Sequence, residues 1–143
     1  MTASAERASA DNGRFDVPEA ALVAARAADA KLGQDTVVLA MGDFLGVTDA
    51  FVITSGANSR QVRTIVEEVE HQVKRSEGRS PRAIEGLRDL TWVLMDYGDF
   101  LVHVFQDEAR AYYDLERLWG NAPRRSADGT LADGALANRV AED

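Results

Sequence analysis

The sequence predicts an α/β fold: a mixed sheet of about five strands with about three helices, in the order α-β-β-α-β-β-β-α. Three observations carry this. Short, continuous apolar runs with β-branched residues occur at Thr36–Met41 and Asp49–Thr54, the pattern of buried strands. Val62, Ile65, Val66, Val69 and Val73 recur at the spacing of one helix face. Trp92–Met95 and Phe100–Phe105 flank Asp96-Tyr97-Gly98-Asp99. A Gly-Asp pair between two such runs marks a hairpin, because Gly supplies the positive φ of a tight turn. Strand, helix and strand across 49–85 imply one right-handed crossover, with antiparallel hairpins on either side. Three helices leave one sheet face partly bare, open to a partner.

Taken in order, residues 1–15 hold almost nothing large and apolar and read as a disordered tail. Asp16 caps a helix starting near Pro18 and running to about Leu32, since Pro fits a first helical turn. Ala21, Ala25, Ala28 and Leu32 share one face, and Gly33 is the expected stop. The two strands at 36–41 and 49–54 follow, separated by the loop Gly42–Thr48. Ser55-Gly56-Ala57 breaks the second strand. Asn58 caps the next helix, with Gln61 in the capping-box position. Its outer face carries Arg60, Arg63, Glu67, Glu70 and Lys74, and Ser76–Pro81 ends it. Arg82–Glu85 is a short strand, and the hairpin comes next. Alternation along its second strand puts Phe100, Val102 and Val104 on a wholly apolar face, assigned to the core, and Leu101, His103 and Phe105 on the other. Asp107 caps a last helix with Ala111, Leu115, Leu118 and Trp119 inward and Gly120 at its end. Residues 121–143 show no apolar stripe and read as a second disordered tail. The folded domain is thus expected to span 16–120.

A chain of 143 residues, 45% hydrophobic and 28% charged, has the composition of one ordinary globular domain. It has no Cys, which excludes disulfides, a thiolate nucleophile and Cys-ligated zinc. No apolar run approaches the roughly 20 residues of a membrane helix. The first residues lack a basic start followed by an apolar block, so no signal peptide is expected and the cytoplasm is the expected compartment. The net charge is −8, most of it in the middle of the chain. Such a surface repels phosphate backbones and matches a basic protein better than nucleic acid, although acidity also simply keeps a chain soluble.

Motifs for chemistry are weak. Ser55-Gly56-Ala57-Asn58-Ser59-Arg60 joins a strand to a helix, a place that can hold anions, but it matches no phosphate-loop pattern and reads better as a structural turn. Asp96 and Asp99 flank a tight turn. Paired carboxylates bind metals or trade protons, and Asp is also a routine turn residue. Glu85 on a neighbouring strand would extend an acidic cluster, which could instead meet an Arg or Lys of a partner. His103 and His71 do not make a metal site, and a hydrogen-bonded, partly buried His103 is the simpler reading. Trp92 fits either a core role or a binding hot spot, because an indole covers a large area at low entropic cost.

These motifs, with Ser59-Arg60-Gln61-Val62, Glu85-Gly86 and Tyr113-x-Leu115-Glu116-x-Leu118-Trp119, resemble the ribosomal silencing factor (Iojap-like) family over about residues 17–120. The resemblance implies an α/β fold related to nucleotidyltransferases, without their catalytic carboxylates and with no cofactor. It implies binding to a large-subunit ribosomal protein of the L-fourteen family, which blocks subunit joining when nutrients are scarce, and a homodimer when free. Carried onto this chain, Trp92, Asp96, Tyr97, Asp99 and Glu85 are the candidate contact residues, and Asp49, Ser55 and Gly56 are expected to hold the β-to-α turn. The alternative is a remnant nucleotidyltransferase or nucleotide-binding enzyme, which needs a metal at Glu85, Asp96 or Asp99.

Overall fold

The computed structural model describes residues 16–42 and 46–127. The elements are α1 (Glu19–Ala30), β1 (Gln34–Ala40), β2 (Ala50–Gly56), α2 (Ser59–Glu77), β3 (Ala83–Glu85), β4 (Trp92–Asp96), β5 (Phe100–Gln106), α3 (Asp107–Tyr113), α4 (Leu115–Leu118) and β6 (Arg124–Ser126). The strands form one mixed sheet in the order β3-β4-β5-β2-β1-β6. Its centre is the parallel pair β2 and β5, and every other pairing is antiparallel. The predicted α/β mixed sheet is therefore present.

Alternation decides which residues meet the helices. Val52, Val93, Met95, Val102 and Val104 point to one side, where they join the buried stripe of α2 and the alanines of α1 in a single cluster. The α2 stripe is the one read from the sequence, and Asn58 caps that helix by accepting from the Gln61 N–H at 2.9 Å. Gln61 returns an acceptor to the Ala57 N–H at 2.7 Å and donates to the carbonyls of Lys31 and Leu32. One side chain thereby ties the start of α2 to the end of α1.

Helix α1 differs from expectation at both ends. Pro18 occupies the cap position with no side-chain cap, so Asp16 does not cap it. Ala21, Ala25 and Ala28 are fully buried, but Leu32 is 77% exposed. The helix has already ended: Leu32 adopts φ 65° and the Gly33 N–H returns to the Ala28 carbonyl. Gly33 stands there for want of space. A Cβ would lie 2.9 Å from the Ala28 carbonyl oxygen and collide with the Thr54 hydroxyl.

The hairpin forms as predicted, with Gly98 at φ 92° and the Tyr97 N–H bonded to the Phe100 carbonyl at 3.0 Å. Beyond β5 the chain departs from its reading. Gln106, not Asp107, is the cap of α3, and the expected last helix breaks at Asp114, which adopts φ 49°. Within α3 the inward residue is Ala109 and Ala111 faces water, and past the break Leu118 is exposed as well. Leu115 and Trp119 do pack inward. Residues 124–126, expected in a tail, form β6 on the edge of β1, where the pairing partner supplies the order that local composition does not. Residues 1–15 and 128–143 lie outside the described residues.

Candidate functional site

The second face of the sheet is finished differently. Helix α3 packs over β2 and β5, where Leu39, Phe51, Ile53 and Phe105 form a second, smaller core with Ala109 and Ala122. Over β3 and β4 this face is open. Strand pairing sets Ala83 beside Asp96 and Leu101, Glu85 beside Leu94 and His103, and Trp92 beside Phe105. Glu85 is exposed, and Trp92, Leu94, Asp96 and Leu101 are half-buried. The result is an apolar strip with an indole at one end and carboxylates along its edge.

Trp92 is held on several sides. Its ring lies 4.9 Å from Phe105 and 4.7 Å from Tyr113, centroid to centroid. Its Nε1–H donates to Nδ1 of His103 at 3.1 Å. His103 is only 5% exposed, and burial pushes its pKa down to about 4. The imidazole is thus neutral near pH 7. With Nδ1 accepting, its proton sits on Nε2, which is buried without a hydrogen-bond partner. The Phe51 ring meets the imidazole edge-on at 4.7 Å. His103 therefore supports Trp92 from beneath and presents nothing to solvent.

Asp96 works inside its own turn. Its Oδ1 accepts from the Gly98 N–H at 2.8 Å and from Arg82 Nε at 3.2 Å, and the side chain stays 30% exposed. It can still accept from a partner through its other oxygen.

Tyr97 and Asp99 fall on the other side of the sheet. Tyr97 is 5% exposed and stacks on Phe100 at 4.5 Å in the helix-side core, where burial pushes its pKa up to about 12. Its ring lies in the helix-side core, behind the open face where a contact residue was expected. Asp99 is gripped by Arg79 at 2.6 Å, and the same guanidinium donates to the Tyr97 carbonyl at 2.9 Å and covers the Phe100 ring. The five candidates thus divide: Trp92, Asp96 and Glu85 share the open face, and Tyr97 and Asp99 brace the hairpin from behind. Leu94 and Leu101 belong with the first group. Alternation along β4, two residues at a time from Trp92, is the signal that finds Leu94 and rejects Tyr97.

At the β-to-α turn, Ser55 is buried and its hydroxyl accepts from Arg110 at 3.2 Å. A Cβ on Gly56 would press on the Gln61 side chain at 3.1 Å. Asp49 lies at the opposite end of β2, where its backbone joins Met41 and Asp99, so it does not hold this turn. Among the described residues no group of three or more His, Cys, Asp or Glu is arranged to hold a metal ion. None of the described helices is long and apolar enough to cross a membrane.

Comparison with known proteins places this arrangement among relatives. A family model described as "Ribosomal silencing factor during starvation" matches residues 14–142. The ribosomal silencing factor RsfS of Bacillus subtilis is 40% identical over 106 residues, covering 74% of this chain and 89% of that protein. A mouse protein named "Mitochondrial assembly of ribosomal large subunit protein 1" is 33% identical over 112 residues, covering 77% of this chain and 47% of that protein. A crystal structure of a Chromobacterium violaceum protein superposes with a TM-score of 0.69 at 30% identity, covering 73% of this chain and 87% of that one.

Proposed function

The chain belongs to the ribosomal silencing factor family, and from that membership we propose that it represses translation by docking on the large ribosomal subunit. A ribosome-associated silencing role comes with the family. Our further reading is that the docking partner is a ribosomal protein of the L-fourteen family and that the bound protein stands where the small subunit must sit. The block is steric, acts in the cytoplasm when nutrients are scarce, and needs no chemical step. The free protein is a homodimer in this reading.

The observation that carries the proposal is the open face around Trp92. A half-buried indole, anchored by a hydrogen bond and sharing its face with Leu94 and Leu101, is the kind of centre that dominates binding energy. Glu85 and Asp96 at its border, on a chain of net charge −8, suit a basic partner surface. The mouse relative's printed name, which ties that protein to the large subunit, is consistent with this.

The test is sedimentation of purified subunits with the full chain. The protein is expected to travel with free large subunits and to reduce their joining to small subunits. Unchanged joining at saturating protein would sink the steric reading, and absence from the large-subunit fraction would sink docking altogether.

A further inference from the structure

We propose that Arg110 is the positioning residue of the docking face: it fixes the α3–α4 segment so that Tyr113 holds the Trp92 indole in place. The role in binding rests on the reading of Trp92 as the docking residue.

Arg110 is a long cationic side chain in an acidic domain, yet its side chain is only 11% exposed. Each of its five N–H groups has an acceptor. Nε and one Nη2 hydrogen go to the two oxygens of Glu116, at 3.1 and 2.8 Å. The other Nη2 hydrogen goes to the Asp35 carbonyl at 2.7 Å. Nη1 serves the Gln34 carbonyl at 2.7 Å and the Ser55 hydroxyl at 3.2 Å. A planar fork with all donors used allows almost no freedom of orientation, and a lysine cannot reproduce it.

What the fork joins is specific. Glu116 lies beyond the break at Asp114, so the ion pair spans the corner between α3 and α4. Gln34 and Asp35 open β1, and Ser55 is near the end of β2. Both Asp35 and Asp114 adopt left-handed backbone, φ 47° and φ 49°, a conformation that costs energy outside glycine. The guanidinium therefore pins two strained corners to each other. Tyr113 is the last residue of α3 before the second corner, and its ring lies against Trp92. Trp119, past α4, meets Phe51 edge-on at 6.4 Å, and Phe51 contacts His103, the acceptor for Trp92. Two routes thus lead from the clamp to the same indole.

The experiment uses the full chain with Trp119→Phe, which keeps a ring against Phe51 and leaves Trp92 as the single indole of the two in the sequence, and docking is also measured with Trp119 intact. Acrylamide quenching and the emission maximum report how Trp92 is enclosed, and sedimentation with large subunits reports docking. Arg110→Ala, Arg110→Lys and Glu116→Gln are each expected to shift the emission and raise quenching, and to weaken docking about tenfold for Arg110→Lys. Tyr113→Ala should give the same optical change with Arg110 intact, and the Arg110→Lys, Tyr113→Ala double variant should add little to either. If Arg110→Ala fails to fold, Arg110→Lys and Glu116→Gln carry the test. Unchanged quenching in folded variants overturns the proposal, as does full additivity in the double variant. If the parent chain does not bind large subunits, docking fails as a function, while the optical arm still decides whether Arg110 places Trp92.

Discussion

The two faces of the sheet are built from different materials. Under α1 and α2 the packing is mostly aliphatic, with alanine on one helix, valine on the other and the stacked Tyr97 and Phe100 rings at the hairpin, and nearly every side chain is sealed from water. The opposite face is finished with rings, a buried imidazole and carboxylates, and is roofed only in part, by the α3–α4 segment packed on β2 and β5. Aliphatic packing tolerates no partner because it leaves no room for one. A face of half-buried rings costs the free protein some exposed apolar area and keeps a surface that a partner can finish covering. Stability and recognition are thereby given separate sides of one sheet.

Substitutions can break or sharpen that division. The largest effect is expected on the sealed side. Phe100→Ala removes a fully buried ring and should cost about 3–5 kcal/mol of unfolding free energy in urea titration. If its effect appears in docking but not in stability, the division fails.

The next effect is a pH dependence from the open side. The folded-state pKa of His103 lies near 4, below the ordinary 6.5. Between these values the unfolded chain takes up a proton that the folded chain refuses, so stability is full above pH 6.5 and falls as pH drops toward 4. The total is on the order of 3 kcal/mol. Protonation would also place a hydrogen on Nδ1 and end its role as the acceptor for Trp92. Denaturation at pH 7 and pH 4.5 should show the fall, and His103→Gln should flatten it. An equal fall in both proteins assigns it to other groups.

Trp92→Ala tests recognition directly. It should weaken large-subunit binding by about 2 kcal/mol or more while the helix-side core stays folded. Equal binding by a folded variant moves the interface elsewhere. The smallest effect belongs to the rim: Glu85→Gln should lose only about 0.5 kcal/mol of binding, and the difference should shrink as salt rises.

Local pattern made the sealed side legible. The stripe from Val62 to Val73 and the alternation at Phe100, Val102 and Val104 each follow from one element's geometry, and the structure buries all of them. Spacing extended past an element's end misleads: at Leu32 the backbone has already left the helix, and Leu118 lies past the break at Asp114. The grouping of the candidate residues was legible in part. Trp92, Asp96 and Glu85 do share a face, but Tyr97 sits one residue out of phase with it and is buried behind. Arg110 could not be found from neighbours in sequence, since its strand partners lie about 75 positions away. The same holds for β6, whose Arg-Arg-Ser has strand form only through its pairing with β1.

Gln61 carries a consequence for how the molecule opens. Its amide accepts from the backbone just ahead of α2 and, at the same time, donates to the two carbonyls just past the end of α1. Neither helix end can fray without stripping the other of a bond, so their slowest backbone amides should exchange with deuterium at one shared rate, as a single cooperative unit. The turn that begins at Asp107 has no such link to them and should exchange earlier, by openings that leave the helical layer shut.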